Sequence, residues 1–139
     1  MKIGLLEDNP AIVDWMTTAL AMAGHIVYTY PESTSFLECL LPSRDLHNHL
    51  PFDLAIVDLH LPGEMSGREV ITRIRQTFPA KILPIIVVTG ASQSELANIQ
   101  ANFPEVPILR KPFKMQALLR LLETSRGANG SQEASISIN

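Results

Sequence analysis

The sequence predicts an α/β domain in which one parallel sheet has helices on both of its faces. The chain has 139 residues, which suits a single domain. Four short runs, at 3–6, 54–57, 85–88 and 106–109, are almost continuously apolar, as strands buried on both faces of a parallel sheet are. Stretches with helical spacing separate them. This alternation predicts a doubly wound, five-stranded sheet joined by right-handed crossovers.

Each strand is followed by a helix, which gives five βα units. The first strand leads into a helix that Asn9 can cap and Gly24 ends. The other helices are bounded by polar or helix-breaking residues such as Pro42. The remaining predicted elements are a weaker strand at 26–30, the three later apolar strands, and helices at 33–41, 66–77, 92–102 and 114–125.

The predicted domain occupies residues 1–125. Residues 126–139 are small and polar, so we expect a flexible tail or a truncated linker there. Between the second helix and the third strand, residues 42–51 predict a long surface loop that contains His47 and His49.

Composition argues against several classes of protein. A net charge of −3 does not favour direct binding to nucleic acid or to anionic lipid. The single cysteine, Cys39, cannot form an internal disulfide, which suits a reducing compartment. No apolar run approaches the ~18 residues of a membrane span. We therefore expect a cytoplasmic protein that does not bind membranes.

Polar side chains follow four of the five predicted strands. Glu7 and Asp8 follow the first strand, Asp58 the third, Thr89 the fourth and Lys111 the fifth. Parallel α/β sheets bind ligands beyond the carboxyl ends of their strands. We therefore expect these side chains to meet at one edge of the sheet.

Clustered carboxylates repel one another, and a bound hard cation or a raised pKa relieves that repulsion. Mg²⁺ prefers oxygen ligands and completes its shell with water and phosphate oxygens. A carboxylate at such a site can attack phosphorus to form an aspartyl phosphate, with Lys111 and Thr89 holding the phosphoryl oxygens. Taken singly, the signals also fit a plainer interpretation, in which Asp58 is a helix cap or loop residue and Glu7 and Asp8 begin an acidic helix.

The motifs taken together resemble the receiver domains of two-component response regulators, including chemotaxis regulators. The resemblance covers residues 1 to about 125. It depends on motifs that occur in the family's order, namely Glu7-Asp8, Asp58, Leu61-Pro62-Gly63 with Gly67, Thr89-Gly90-Ala91 and Lys111-Pro112-Phe113.

This resemblance implies a flavodoxin-like (βα)5 three-layer sandwich that works as a signalling module and catalyses only its own phosphoryl transfer and dephosphorylation. It implies a histidine kinase or phosphotransfer protein as donor, and an effector protein or output domain as target. It assigns Asp58 as phosphoacceptor, Asp8 as a Mg²⁺ ligand supported by Glu7, and the backbone carbonyl of His60 as a further ligand. Thr89 is the implied switch hydroxyl and Lys111 the phosphate-binding lysine, followed by a cis peptide to Pro112.

Two positions depart from the family's usual pattern. Ile108 stands where many members have a Tyr or Phe that moves with the switch hydroxyl, so activation must work differently here. The segment from Asp58 to Gly67 is one residue longer than usual. A homodimer stays open, although Glu95 is the only charged residue of the fourth predicted helix, which argues against a dimer built on charge pairs.

Two other functions remain as alternatives. Aspartate-nucleophile phosphatases of the haloacid dehalogenase type also use a strand-end Asp, Mg²⁺ and a Lys, but His60 stands where they have a second Asp, and no insertion provides a lid. A receiver-like adaptor that no longer uses phosphate is the other, and Ile108 keeps this alternative open. A nucleotide or flavin carrier is less favoured because no glycine-rich phosphate loop is present.

Overall fold

The predicted fold is confirmed in the computed structural model, which describes residues 1–41, 50–63 and 65–129. Five parallel strands form one sheet in the order β2-β1-β3-β4-β5. The elements along the chain are β1 (Lys2–Leu6), α1 (Pro10–Met22), β2 (Ile26–Tyr30), α2 (Ser33–Leu40), β3 (Leu54–Val57), α3 (Gly67–Thr77), β4 (Ile85–Thr89), α4 (Gln93–Asn102), β5 (Ile108–Arg110) and α5 (Met115–Asn129).

The core has two layers, one on each face of the sheet. Side chains alternate between the faces along a strand, so in β3 Leu54 and Ile56 join one cluster and Ala55 and Val57 the other. Helices α1 and α5 cover the first cluster, and α2, α3 and α4 cover the second. Because both faces are covered, the central strands are apolar throughout, which is the pattern that predicted them.

The sheet order reverses direction between β1 and β3, since the chain passes from β1 to β2 on one side and places β3 on the other. In open α/β sheets the crevice at such a reversal is the usual ligand site. Polar N-cap residues precede the helices that begin close to this edge. Asn9, Ser66 and Ser92 each accept a backbone N–H from the first turn of α1, α3 and α4 respectively.

Two element boundaries differ from the prediction by more than one residue. Strand β5 begins at Ile108, because the N–H of buried Val106 donates to Phe103 O in a turn instead of pairing with β4. Helix α5 continues past Ser125 to Asn129. The division into a domain and a tail stays a prediction.

Residues 42–49, which include both loop histidines, lie outside the described residues, as do Glu64 and 130–139. Among the described helices, none combines the length and the hydropathy needed to cross a membrane.

Candidate functional site

Three carboxylates meet at the carboxyl ends of β1 and β3. One oxygen atom from each of Glu7, Asp8 and Asp58 lies within 4.8 Å of the others. The two strands are direct neighbours, and the N–H of Asp58 donates to Leu6 O at 3.1 Å, which extends their pairing to the acidic residues. Glu7 and Asp58 are buried, and Asp8 is exposed. The predicted convergence of these residues is therefore present.

Glu7 is the most deeply buried of the three, with 1% of its surface exposed. Its Oε2 accepts the N–H of Asn9 at 3.1 Å, and its own N–H donates to Tyr30 O. Burial raises the pKa of Glu7, and the nearby charge of Asp58 raises it further. The hydrogen bonds from Lys111 and Asn9 lower this pKa but offset the rise only in part.

Lys111 lies between the two buried carboxylates. Its Nζ donates to Glu7 Oε1 at 2.7 Å and to Asp58 Oδ2 at 3.1 Å. Burial by itself would lower the pKa of Lys111, but the hydrogen bonds and negative charges of Glu7 and Asp58 outweigh it and raise that pKa. The repulsion expected from the sequence is therefore largely compensated within the protein. The peptide between Lys111 and Pro112 is cis, as the resemblance implied.

Thr89 ends β4 and is fully buried. Its Oγ1 accepts the N–H of Ala91 at 3.2 Å, and its carbonyl accepts the N–H of Lys111 at 2.8 Å. Thr89 therefore fixes both the start of the β4–α4 loop and the residue that provides the ammonium. Ile108, one strand over, is half-buried against the apolar core and has no polar group that could move with Thr89.

The loop after β3 is fastened to Asp58 and to two helices. The N–H of His60 donates to Asp58 Oδ1 at 3.1 Å. Its imidazole Nε2 lies 2.8 Å from Glu95 Oε2 in the first turn of α4, and this hydrogen bond lowers the pKa of Glu95. The sequence did not predict this pair, because no local signal links a loop histidine to a glutamate of a later helix.

Gly67 allows α3 to begin directly against the backbone of the acidic loop. Its N–H donates to Leu59 O at 3.1 Å. A Cβ atom at this position would overlap the carbonyl of Asp58 and lie 2.7 Å from Leu59 Cα. The glycine that the motif singles out is thus explained by close contact, and the longer loop before it has not displaced Asp58.

This arrangement can support two kinds of chemistry. The donor set of three carboxylates is one that a hard cation such as Mg²⁺ binds. The ammonium of Lys111 and the hydroxyl of Thr89 are groups that can neutralise and orient a transferred anion. The structure brings together the side chains of Glu7, Asp8, Asp58 and Lys111. Thr89 is connected to this group by the backbone hydrogen bond between its carbonyl and the N–H of Lys111.

Comparison with known proteins gives one consistent family. Residues 3–123 match the family model described as "Response regulator receiver domain". The chain is 30% identical over 139 residues to the two-component response regulator PhoP of Pseudomonas aeruginosa, covering 98% of this chain and 56% of that protein. It is 28% identical over 124 residues to the transcriptional regulatory protein FixJ of Bradyrhizobium diazoefficiens, covering 88% and 55%. The chain thus spans about half the length of these relatives.

Solved structures agree on the fold. A CheY-like response regulator receiver domain protein from Methanospirillum hungatei superposes with a TM-score of 0.76 at 24% identity, covering 94% of this chain and 97% of that one. The signal receiver domain of an HD domain-containing protein from Pseudomonas fluorescens gives a TM-score of 0.76 at 27% identity, with coverages of 94% and 97%.

Proposed function

Since the chain belongs to the response regulator receiver domains, we propose that Asp58 accepts a phosphoryl group from a histidine kinase or phosphotransfer protein. The modified domain then changes its contacts with an effector protein or an output domain. The observation that supports this most is the placement of Asp58, a buried carboxylate in an acidic cluster with an ammonium 3.1 Å from Oδ2.

In the proposed transfer, one carboxylate oxygen of Asp58 attacks phosphorus. The new O–P bond forms as the P–N bond to the donor histidine breaks, and the electron pair stays on the departing imidazole. Hydrolysis later returns the carboxylate and inorganic phosphate. We infer that the domain's catalytic work is confined to these two steps.

The ammonium of Lys111 neutralises negative charge in the site both before and after the transfer. Its ammonium has three N–H donors, and the two carboxylates use two of them. It can therefore donate to a phosphoryl oxygen on Asp58 while it keeps its bond to Glu7. The hydroxyl hydrogen of Thr89 provides a second donor to that group.

A divalent cation fits the acidic cluster as well. Glu7, Asp8 and Asp58 would hold Mg²⁺ through carboxylate oxygens, with the backbone carbonyl of His60 as a further ligand. When bound, the cation neutralises negative charge on the phosphoryl oxygens. Asp8 is the exposed member, so it can bind the cation without disturbing the pairs that Lys111 makes.

The wider setting follows from the relatives. Their names describe two-component and transcriptional regulators, and this chain matches about half of each. We propose that this domain controls such an output through its surface and does not itself contact nucleic acid or membrane. We further propose that it acts in the cytoplasm, where a homodimer of the phosphorylated form is one outcome.

Intact-mass measurement after incubation with acetyl phosphate and Mg²⁺ tests the proposal. The wild type should gain one phosphoryl group, and Asp58→Asn should gain none. Asp53→Asn is the matched control, because Asp53 is an exposed aspartate near the start of the same strand, where it accepts the N–H of Lys2. It should be labelled like the wild type. Labelling of Asp58→Asn, or an unlabelled wild type, would contradict the proposal, and the latter would support an adaptor.

A further inference from the structure

The contact between His60 and Glu95 links two elements that border the proposed phosphorylation site. The Nε2–Oε2 distance is 2.8 Å, and the side chains are 57% and 50% exposed. His60 belongs to the loop after β3, and Glu95 to the first turn of α4. Neither side chain has a role in the transfer chemistry described above.

One end of this contact is hydrogen-bonded to the proposed phosphoacceptor, and the other to the serine that caps α4. At one end, the N–H of His60 donates to Asp58 Oδ1 at 3.1 Å. At the other, Ser92 Oγ lies 3.3 Å from Glu95 Oε1 and accepts the N–H of Glu95.

The residue before Ser92 completes the connection on the α4 side. The N–H of Ala91 donates to Thr89 Oγ1. Asp58 and Thr89 are thus joined by a continuous path of hydrogen bonds and backbone that passes through the first turn of α4.

We propose that the His60–Glu95 contact restrains α4 while Asp58 is a carboxylate, and that phosphorylation of Asp58 releases it. This inference rests on the proposed function. A phosphoryl group on Asp58 changes the carboxylate whose Oδ1 accepts the N–H of His60. A movement of Thr89 Oγ1 toward that group would carry the N–H of Ala91 with it or break their hydrogen bond. Either change alters the position of His60 or of the first turn of α4, and so disrupts the contact between them.

Because Ile108 stands where many receiver domains have an aromatic switch residue, the His60–Glu95 contact provides another route from the site to α4. An apolar residue in the core cannot relay a movement of Thr89 by exchanging hydrogen bonds. The path through Ala91, Ser92 and Glu95 reaches α4 without it. Glu95 is accordingly a positioning residue, which acts on the site through His60.

Linkage fixes the direction of the expected effect. A contact that stabilises only the carboxylate form opposes occupation of the site, so its removal should favour the occupied form. For an exposed side-chain pair of this kind we expect Glu95→Ala to bind beryllofluoride, a phosphoryl mimic, roughly two- to fivefold more tightly in the presence of Mg²⁺. Trp15, the only tryptophan, packs on Phe113 at 5.2 Å between ring centroids and provides a fluorescence signal near Lys111.

Glu69→Ala is a closely matched control. Glu69 occupies the same position in α3 that Glu95 occupies in α4, and its N–H also donates to the capping serine. It too is about half exposed and paired, with Arg73 at 2.9 Å. Glu69→Ala therefore removes an equivalent charge and side-chain pair while it keeps the backbone N–H that donates to the capping serine, and its affinity for beryllofluoride should equal that of the wild type.

The His60→Ala background separates the restraint from simple charge repulsion. In the His60→Ala background, adding Glu95→Ala should not change the affinity any further. In the protein that keeps His60, Glu95→Ala should move the α4 amide NMR signals part of the way toward their beryllofluoride-bound positions. An equal gain in both backgrounds, weaker binding, or unmoved α4 signals would overturn the restraint. If wild type itself fails to bind beryllofluoride, the proposed function fails together with it.

Discussion

Replacing Lys111 by Met removes the ammonium between Glu7 and Asp58 and keeps most of the aliphatic side chain. The two carboxylates, with 1% and 6% of their side chains exposed, then face each other without a counter-charge. Removing one partner of a fully buried pair costs about 3–5 kcal/mol, whereas exposed pairs contribute about 0–1 kcal/mol. Because the Lys111 side chain is 20% exposed, we expect the variant to lose about 2–3 kcal/mol of unfolding free energy at pH 7.

The deficit should depend on pH in a defined direction. Burial already raises the pKa of Glu7 above 4.5, and loss of the ammonium raises it further. A carboxyl whose pKa is raised by folding stabilises the folded state when it is protonated, and that contribution is lost as the pH rises through the folded-state pKa. The deficit of Lys111→Met should therefore shrink as the pH falls from 7 toward 4.5. In the wild type, folding raises the pKa of Lys111 above 10.5. The ion pairs of Lys111 therefore stabilise the folded state fully below pH 10.5, and this stabilisation is lost as the pH rises through the folded-state pKa.

Urea unfolding without metal, at several pH values, measures these differences. Lys114→Met is the control, since Lys114 is exposed nearby and should change stability by no more than about 0.5 kcal/mol. Adding Glu7→Gln to Lys111→Met should recover part of the loss. A Lys111→Met protein as stable as wild type at pH 7, or a deficit that grows in acid, would refute this account of the site.

Three further substitutions test other parts of the structure. Gly67→Ala should destabilise the protein by about 1–3 kcal/mol in urea, because its Cβ would overlap the Asp58 carbonyl; Gly90→Ala, where a Cβ meets nothing within 4 Å, should cost much less. Thr89→Val should still be phosphorylated but should not shift the α4 NMR signals, whereas Thr89→Ser should shift them; equal shifts would show that the hydroxyl is not the switch. Asp8→Asn should abolish most of the Mg²⁺-dependent rise in melting temperature, and Asp53→Asn should leave it intact. Equal Mg²⁺ stabilisation in both would exclude Asp8 from the cation site.

The sequence predicted the sheet because the strands are buried on both faces. Leu54 and Ile56 face one layer and Ala55 and Val57 the other, so the run is apolar whichever way a side chain points. The same rule misplaced the start of β5. Val106 is buried for a tertiary reason, as part of a turn that packs on the core, and its apolarity is indistinguishable from that of a strand residue.

At the site, the positions of polar residues at strand ends predicted which residues converge, but not which partner each residue contacts. Lys111 and Glu7 lie 104 positions apart and meet only after the sheet has formed, so their 2.7 Å contact has no local signal. The pairing of His60 with Glu95 similarly requires the β3–α3 loop and α4 to be in place. Such partners depend on distances set by the whole fold.

The proposed phosphoacceptor is tested most directly by locating the modification at residue level. Borohydride reduces an acyl phosphate to an alcohol and so converts a phosphorylated aspartate into homoserine. After wild-type protein has been incubated with acetyl phosphate and Mg²⁺ and reduced, peptide mass spectrometry should find homoserine at position 58 and unchanged aspartate at positions 8 and 53. Homoserine at another aspartate, or at none in a sample with a confirmed phosphoryl mass gain, would contradict the assignment of Asp58.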